Sequence, residues 1–424
     1  MSSIYNLSTK LSLKIKNLIE NTFIFLILQK LFLYIEDLWL NSFFRQLYPD
    51  KFLNFLNDSY ILKNHIFSPL IIIVAFAFFM ILASIPISPS LQFNILIGFI
   101  SFFIFSTIIP KAVLNDKKFI IFDSKKIYSL GLLLLIISFI FFYLNIITLG
   151  SLPLLDPSLR YVLDPKLTLP TFLSIPAVAL MGSHILKEMQ NDQLSKSSAK
   201  FRLISLSAIS ILLLFCLGYR TPLVALILIV VIMGYYTKLF QVWEIILGFL
   251  IILSVVMVLG YFRSVGEYAL GYLSALDFLR SRAAFTLGVL DLLNHISGFF
   301  GFMHGNLALS ILPGPGDGPR VIIGKLIAWR SSVTITPTLF GPMLVDFGTV
   351  GITVGMGFLG LITGAGYKIL QKTKDSFYVA LYAIILSYII IGVETGILDQ
   401  LVILYILVAA IIYFANILKK QNPC

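Results

Sequence analysis

The stretch GLLLLIISFIFFY, residues 131–143, carries no charged side chain, and neither does LIILSVVMVLGY at residues 250–261. Uninterrupted apolar runs of this kind are typical of helices that face lipid. The rest of the chain has the same character, because 58% of its 424 residues are hydrophobic and only 12% are charged. Average soluble proteins carry about 25% charged residues. The predicted fold class is therefore all-α, a polytopic bundle of transmembrane helices.

The sequence predicts about ten spans, within a range of ten to twelve, each roughly 20 residues long. The predicted spans lie near residues 66–87, 91–109, 127–149, 169–186, 203–218, 222–237, 243–262, 338–365, 376–394 and 397–418. Residues 203–218 and 222–237 are short and form either two spans or one re-entrant pair. Asn21–Leu40 is apolar but is interrupted by three charges, which favours an interfacial helix over a span.

The spans divide the chain into two predicted parts. Residues 1–65 form a cytoplasmic or interfacial N-terminal segment, and residues 66–418 form a transmembrane domain. Two segments are predicted to lie outside the membrane on the far side, 150–168 and 263–337, the second being too long for a simple connection. No cleavable signal peptide is expected, because the lysines near the N-terminus are not followed by a short apolar stretch with a small-residue cleavage site.

Basic residues orient the predicted spans. The net charge is +11, which could indicate nucleic acid, but the positive charge is sorted by position along the chain. Lysine-rich connections stay in the cytoplasm, and ten spans place the basic connections at 110–126, 187–202 and 366–375 on one side together with both termini. The sequence therefore predicts a multi-pass protein of the cell membrane, with cytoplasmic termini and no nucleic-acid partner.

Arginine and lysine are distributed differently between the two predicted faces. Twenty of 22 lysines fall on the cytoplasmic side, whereas seven of nine arginines fall on the outer side. A guanidinium binds phosphate through two parallel hydrogen bonds, while lysine acts as a point charge. This bias indicates a site for a phosphorylated ligand; the alternative is that arginine was selected for packing or for salt bridges to Asp156, Asp164 and Asp277. The outer arginines are Arg160, Arg220, Arg263, Arg280, Arg282, Arg320 and Arg330.

The outer segment 263–337 also supplies candidate catalytic groups. Leu273–Ile296 has the period of an amphipathic helix, with a polar stripe of Asp277, Ser281, Ala284, Gly288, Asp291 and His295. Asp291 and His295 are four residues apart, so the carboxylate is within reach of the imidazole. Each could equally belong to a solvated face. The candidate bases are His304, Asp291, His295 and Glu267.

Three further acids, Asp346, Glu394 and Asp399, fall toward the outward ends of predicted spans, where a charge is costly enough to suggest a functional role. His184 lies near an inward end and is expected to be structural. Cys216 and Cys424 lie far apart, which predicts neither a disulfide framework nor a metal site. No motif for phosphate loops, dinucleotides or serine hydrolases occurs.

Several short motifs, in order, are similar to those of the Wzy-type oligosaccharide repeat-unit polymerases, relatives of the O-antigen ligases. The motifs are GSLPLL at 150–155 followed by Arg160, GYRT at 218–221, HGN at 304–306, ILP at 311–313, TPTLFG at 336–341 and DFGTVG at 346–351. The resemblance covers roughly residues 66–418. Tyr219 departs from it, because the family often has a small residue before the arginine of the tight turn, and the family pattern does not identify a general base.

The resemblance implies an inverting, metal-independent membrane glycosyltransferase with no cofactor. Its substrates would be polyprenyl-pyrophosphate-linked oligosaccharides, polymerised on the outer face, and its arginines would bind the pyrophosphate leaving group, whose charge fixed donors stabilise. Implied partners are membrane lipids, a flippase and a chain-length regulator. Three alternatives stay open: a transporter or flippase for the same lipids, a glycan ligase of the same superfamily, and a structural membrane protein, which would not need the arginine bias.

The lysine distribution makes a prediction about topology. In intact cells, a membrane-impermeant thiol reagent should fail to label a cysteine introduced at Ser198, because residues 187–202 are predicted to be cytoplasmic, and should label one introduced within 263–337. Labelling after the membrane is opened shows that the Ser198 position reacts at all. Labelling of that cysteine in intact cells would overturn the orientation.

Overall fold

The computed structural model describes residues 2–20, 22–40, 65–108, 122–156, 159, 162–268, 274–312, 317–328 and 334–420. Over these residues the chain forms helices and no strand, as the composition predicts. The helices are α1 (Ser2–Glu20), α2 (Phe23–Leu40), α3 (Ile71–Ala83), α4 (Pro89–Thr107), α5 (Ser124–Leu149), α6 (Pro165–Thr171), α7 (Ser174–Gln190), α8 (Lys196–Cys216), α9 (Arg220–Tyr236), α10 (Val242–Tyr268), α11 (Ala275–Ser297), α12 (Asn306–Leu309), α13 (Pro319–Ala328), α14 (Gly341–Thr373), α15 (Ser376–Thr395) and α16 (Gln400–Lys420).

Among the described residues, six helices are long and apolar enough to cross a membrane, or seven if the bent pair Leu11–Glu20 and Phe25–Leu38 is one span. The six are Pro89–Thr107, Ser124–Leu149, Pro165–Gln190, Lys196–Cys216, Gly341–Thr373 and Ser376–Thr395. The chain is thus a multi-pass helical membrane protein, but with fewer full-length spans than the ten predicted.

Each of the other four predicted spans also contains an apolar helix. Two of these helices are short: Ile71–Ala83 has 13 residues and Arg220–Tyr236 has 17. At 1.5 Å per residue they reach at most about 26 Å, whereas the hydrocarbon core is about 30 Å thick. The other two are the apolar stretches Val242–Val258 and Gln400–Phe414, which belong to the longer helices α10 and α16. Hydropathy located all four helices and overestimated the length of the first, predicted at 66–87.

The helices form two compact units. The first unit comprises 1–66, 120–253 and 374–383, and the second comprises 67–119, 254–373 and 384–424. In the first unit, α7 packs against α5, α8 and α9. Every residue from Ser174 to Leu186 is buried, so α7 is the central helix of that unit.

Ion pairs join the N-terminal helices to the rest of the first unit. Lys16 on α1 contacts Glu188 at 2.8 Å, and Arg202 contacts Glu20 at 2.8 Å. Buried His184 accepts or donates a 2.7 Å hydrogen bond through Nδ1 to the Ser124 hydroxyl, and its Nε2 lies 3.2 Å from Glu188. The structural role predicted for His184 agrees with these contacts.

In the second unit, α4 lies along α14 at close range. Gly357, Gly360 and Gly364 share one face of α14 at helical spacing, and a Cβ at Gly364 would come within 2.2 Å of the Ser106 carbonyl oxygen. Small residues let two membrane helices approach until their backbones touch. The Ser101 hydroxyl then donates a 2.7 Å hydrogen bond to the carbonyl of Thr353 across the same interface.

The predicted amphipathic helix within 263–337 is present as α11. Its buried face includes Leu279, Leu287, Leu290 and Leu293, and it packs against α3 and α14. The predicted polar stripe is exposed or half-buried along its length. A third face is apolar and yet exposed, with Phe285, Leu292 and Ile296 each about half accessible, which suits contact with lipid. The helix therefore has a core face, an exposed apolar stripe and a polar stripe.

The close helix pair predicts the effect of adding one methyl group. Gly364→Ala should destabilise the protein by about 1–3 kcal/mol, because the new Cβ meets backbone atoms that cannot rotate away. Gly288→Ala on α11 is the matched control, since the nearest atom to its Cβ, on Ile85, is 3.9 Å away. Thermal unfolding in one detergent compares the two. Equal unfolding temperatures for both variants would contradict this description of the interface.

Candidate functional site

Helix α14 is interrupted close to its N-terminal end, and the interruption organises the candidate site. Phe347 has φ −136° and ψ 15°, and Gly348 has φ 61° and ψ −144°, so neither continues the helix. A Cβ at Gly348 would also lie 2.4 Å from the backbone of Phe299. Only glycine combines this dihedral with so close an approach. The sequence DFGTVG at 346–351 therefore contains a break rather than the start of a continuous helix.

The loop that follows α11 packs into this break. The amides of Phe302 and Met303 donate to the Val345 carbonyl at 3.0 and 3.2 Å, and the His304 amide donates to the Asp346 carbonyl at 2.9 Å. In a continuous helix these carbonyls would accept from the amides of residues 349 and 350, but the break at Phe347 and Gly348 lies in between. The loop supplies the missing donors, so the break and the loop fix each other's conformation.

The Asp346 side chain completes the attachment. It is only 2% exposed, and its two carboxylate oxygens accept the amides of Leu307 at 3.0 Å and Ala308 at 2.9 Å. These amides belong to the first turn of α12, where N–H groups have no partner within the helix. Gly305, the residue before α12, has no side chain to cap them. Asp346 therefore caps α12 from another helix.

His304 is held at the top of this loop. It is an exposed residue with φ 50°, a left-handed conformation that costs energy for any residue with a side chain. Gly305 beside it has φ 94°. The backbone bonds to Val345 and Asp346 maintain this conformation, and the imidazole is left accessible.

Two of the predicted arginines in the second unit are already paired with acids. Arg282 on α11 donates from Nε to Glu394 at 3.1 Å and from Nη2 to the Thr336 hydroxyl at 3.3 Å. Arg320 on α13 donates from Nη2 to Asp399 at 2.9 Å. Each of these four charged side chains is roughly one-third exposed, between 28% and 34%. The two acids stand at the two ends of the connection between α15 and α16.

One short segment connects these arginines with the histidine loop. At its start, the Ile335 amide donates to the carbonyl of Arg320 at 3.0 Å, and the Thr336 hydroxyl accepts a hydrogen bond from Arg282. Ten residues later, the Asp346 carbonyl accepts the His304 amide. The motifs TPTLFG and DFGTVG thus lie in one run, residues 335–351, which has the arginine cluster at one end and the exposed imidazole at the other.

The remaining predicted site residues are placed separately. Arg280 on α11 is exposed and has no ion-pair or hydrogen-bond partner among the described residues. Arg220 is half-buried at the first position of α9, in the first unit. Arg263 and Glu267 belong to α10, but their side chains lie outside the described residues, as do Arg160 and Arg330 entirely.

The Asp291–His295 pair suggested by the spacing is not formed. Asp291 accepts from the Ser88 amide at 3.1 Å and from the Ser88 hydroxyl at 2.5 Å, so both of its oxygens are used at the start of α4. His295 is exposed. The i,i+4 spacing would allow the two side chains to meet, but Ser88 supplies an amide and a hydroxyl donor to the Asp291 carboxylate instead.

Sequence reasoning also missed the partners of the paired arginines. It considered salt bridges to Asp156, Asp164 and Asp277, whereas Glu394 and Asp399 are the acids used. Both acids had been noted as costly charges at span ends. A charge in such a place usually has a partner of opposite sign, so that signal could have led to the pairing.

The part of the chain that the structure describes contains no group of three or more His, Cys, Asp or Glu side chains placed to hold a metal ion. The charged groups of the candidate site are therefore arginines, carboxylates and one accessible imidazole. Such a set can bind an anion through guanidinium donors and can move a proton through the imidazole.

Comparison with known proteins adds a family assignment. Residues 65–406 match the family model described as "Putative O-antigen polymerase". An uncharacterized protein of Methanocaldococcus jannaschii is 29% identical over 308 residues, which cover 72% of this chain and 82% of that protein. No solved structure matches the chain.

The capping role of Asp346 can be tested by stability. Asp346→Ala should lower the free energy of unfolding by about 1–3 kcal/mol for each of the two amides left unpaired, and amide exchange at residues 304–308 should become faster. Asp346→Asn keeps one carbonyl acceptor, so its free energy of unfolding should lie between those of the wild type and Asp346→Ala. The control is Asp317→Ala, which removes an exposed carboxylate paired with Lys325. Equal losses for Asp346→Ala and Asp317→Ala would refute the cap.

Proposed function

We propose, because the chain belongs to the O-antigen polymerase family, that it is a membrane glycosyltransferase that polymerises lipid-linked oligosaccharide repeat units on the outer face of the membrane. Its substrates are oligosaccharides carried on a polyprenyl pyrophosphate. Both termini lie in the cytoplasm, and the 335–351 segment, with the arginine cluster and the His304 loop, lies at the outer end of the bundle.

The reaction joins two such molecules. A hydroxyl oxygen of one sugar attacks the anomeric carbon of the other, the bond from that carbon to the pyrophosphate oxygen breaks, and the polyprenyl pyrophosphate leaves with the bonding electrons. The hydroxyl proton passes to a base. Attack on the side opposite the leaving group inverts the anomeric centre. Two groups are required of the protein, a donor set that stabilises the departing anion and one base beside the acceptor hydroxyl.

The observation that carries the proposal is the arrangement of the 335–351 segment. It joins Arg282 and Arg320 at one end to His304 at the other through hydrogen bonds to its own backbone and side chains. Anion donors and a proton acceptor are the two groups that the transfer requires, and the 335–351 segment makes hydrogen bonds to both parts of the site. A structural membrane protein has no need of this combination.

We assign the role of general base to His304. Histidine is the side chain most often used for general base catalysis, and this one is exposed and held in a strained conformation by a buried anchor. Asp291 is engaged by Ser88, which makes it a poor proton acceptor, while His295 and Glu267 remain candidates.

We assign the binding of the pyrophosphate leaving group to the arginines. A planar guanidinium matches the pyrophosphate oxygens and keeps its charge at any physiological pH, so the developing anion is stabilised without a metal ion. The contacts of Arg282 and Arg320 with the 335–351 segment support this role, and Arg280 is accessible on the same helix as Arg282. Arg160, Arg220, Arg263 and Arg330 remain candidates by sequence.

A transporter of the same lipids is the competing function, and an interrupted helix is a feature that transporters share. Transporters place the interruption near the middle of the membrane, where the substrate binds. Here the interruption follows only the first six residues of α14, which continues to Thr373. This position favours a reaction at the membrane surface. Proposed partners are membrane lipids, a flippase that delivers the substrate and a chain-length regulator.

Reconstitution with defined substrates tests the function. Purified protein in liposomes should convert a polyprenyl-pyrophosphate-linked oligosaccharide into a ladder of polymers, and should produce none from a water-soluble sugar nucleotide. A single transfer to another acceptor, without a ladder, would identify a ligase. Accumulation of the intact lipid in the opposite leaflet, without any new glycosidic bond, would identify a flippase.

His304→Asn tests the proposed base. Asparagine is among the residues that best tolerate positive φ, so the loop should keep its shape while the base is lost, and polymer formation should fall by about 10²–10⁴-fold at unchanged protein level. Lys374→Asn is the matched control, because it introduces the same side chain at an exposed residue with φ 51°. Polymerisation by His304→Asn at the wild-type rate would exclude His304 and leave His295 and Glu267 to be tested.

A further inference from the structure

The two ion pairs of the arginine cluster leave most of each guanidinium unused. Arg282 gives Glu394 one N–H, and Arg320 gives Asp399 one N–H. Neither contact is the two-pronged arrangement in which arginine binds a carboxylate or phosphate most strongly. Both pairs are also accessible, with every side chain about one-third exposed. Exposed ion pairs are weak, because water competes for both partners.

The four charged side chains of these two pairs carry no net charge together. Among the described residues, an incoming pyrophosphate would meet these two negative groups as well as the two positive ones. An anion with several charges gains little from a neutral cluster unless the carboxylates move away. Once they move, both arginines can present a full fork to the phosphate oxygens.

We propose that Glu394 and Asp399 are internal competing anions, which pair with Arg282 and Arg320, give way to the pyrophosphate of the substrate, and return to help release the product. This inference rests on the proposed function and adds a role for two acids that the transfer itself does not require. The acids set how tightly the arginines hold a pyrophosphate.

Product release explains why such acids are useful. After transfer, the polyprenyl pyrophosphate carries more negative charge than the sugar-linked donor did, because the bond to the sugar has been broken. Arginines that bind the developing anion well would also hold the finished product tightly. A carboxylate that accepts the arginine N–H groups one at a time, as the phosphate oxygens release them, lowers the barrier to dissociation of the product. Glu394 and Asp399 lie at the two ends of one short connection, Glu394 in contact with Arg282 and Asp399 in contact with Arg320.

The chain offers substitutions that remove the charge with little change of shape. Glu394→Gln keeps an oxygen that can accept from Arg282. Asp399 also caps α16, since its Oδ1 accepts the Leu401 amide at 3.1 Å, and asparagine caps helices about as well as aspartate. Asp399→Asn therefore preserves the start of α16. Glu394→Asp retains the charge and serves as the conservative variant.

The experiment measures binding of a polyprenyl pyrophosphate, with the polyprenyl monophosphate as a second probe, to the purified full-length protein in detergent. Glu394→Gln and Asp399→Asn should each bind the pyrophosphate about threefold to tenfold more tightly, the range expected from losing one exposed ion pair and its repulsion of the ligand. In multiple turnover, kcat should fall because release becomes slower, while the rate of a single turnover is kept. Glu394→Asp should bind as the wild type does.

Asp317→Asn is the matched control, because it removes the charge of an exposed acid that is paired with Lys325 in the same unit; its binding should equal that of the wild type. Unchanged or weaker binding by both Glu394→Gln and Asp399→Asn overturns the inference, and so does equal tightening by Asp317→Asn. A merely structural role for the acids predicts weaker binding, so the direction of the change decides between the two. Wild-type protein that binds no polyprenyl pyrophosphate would instead refute the proposed function.

Discussion

A backbone that breaks within an apolar bundle must find new partners for the amides and carbonyls that the break releases, and this requirement organises the second unit. The carbonyls of Val345 and Asp346, freed at the break in α14, accept three amides from the loop after α11. The Asp346 carboxylate satisfies two more amides in the first turn of α12. The loop carrying His304 is thus held by hydrogen bonds to the groups that the break leaves unpaired, and it does not need a hydrophobic core of its own.

The same constraint applies to charge. A charged side chain near the end of a membrane helix requires a counter-charge or water. Glu394, near the end of α15, lies against Arg282, and Asp399, just before α16, lies against Arg320. The charges of these four side chains cancel one another. If the cluster binds a pyrophosphate as we propose, one set of negative charges is exchanged for another, and the same two pairs then govern both binding of the substrate and release of the product.

Helix positions could be predicted from the sequence because the hydrophobic signal is local. Each of the ten predicted spans contains an apolar helix, and Leu273–Ile296 was recognised as amphipathic from its period alone. Helix ends were predicted less closely, because hydropathy does not mark where a helix starts or stops: the span predicted at 66–87 contains a helix of only 13 residues, Ile71–Ala83. The partners of Asp291, Arg282 and Arg320 could not be read in this way. They lie between 79 and 203 residues away along the chain, and no local pattern carries that information.

By itself, then, the sequence determined the class of protein, the approximate places of its helices, the enrichment of arginine in particular segments and the resemblance of its motifs to those of a polymerase family. These properties follow from composition and short-range periodicity. Only the tertiary structure decided that the motifs at 336–341 and 346–351 join the paired arginines to the His304 loop, and that Asp346 is a cap. Hydrogen bonds and ion pairs depend on distances in space, and a sequence pattern cannot determine which of several possible donors lies next to a given acceptor.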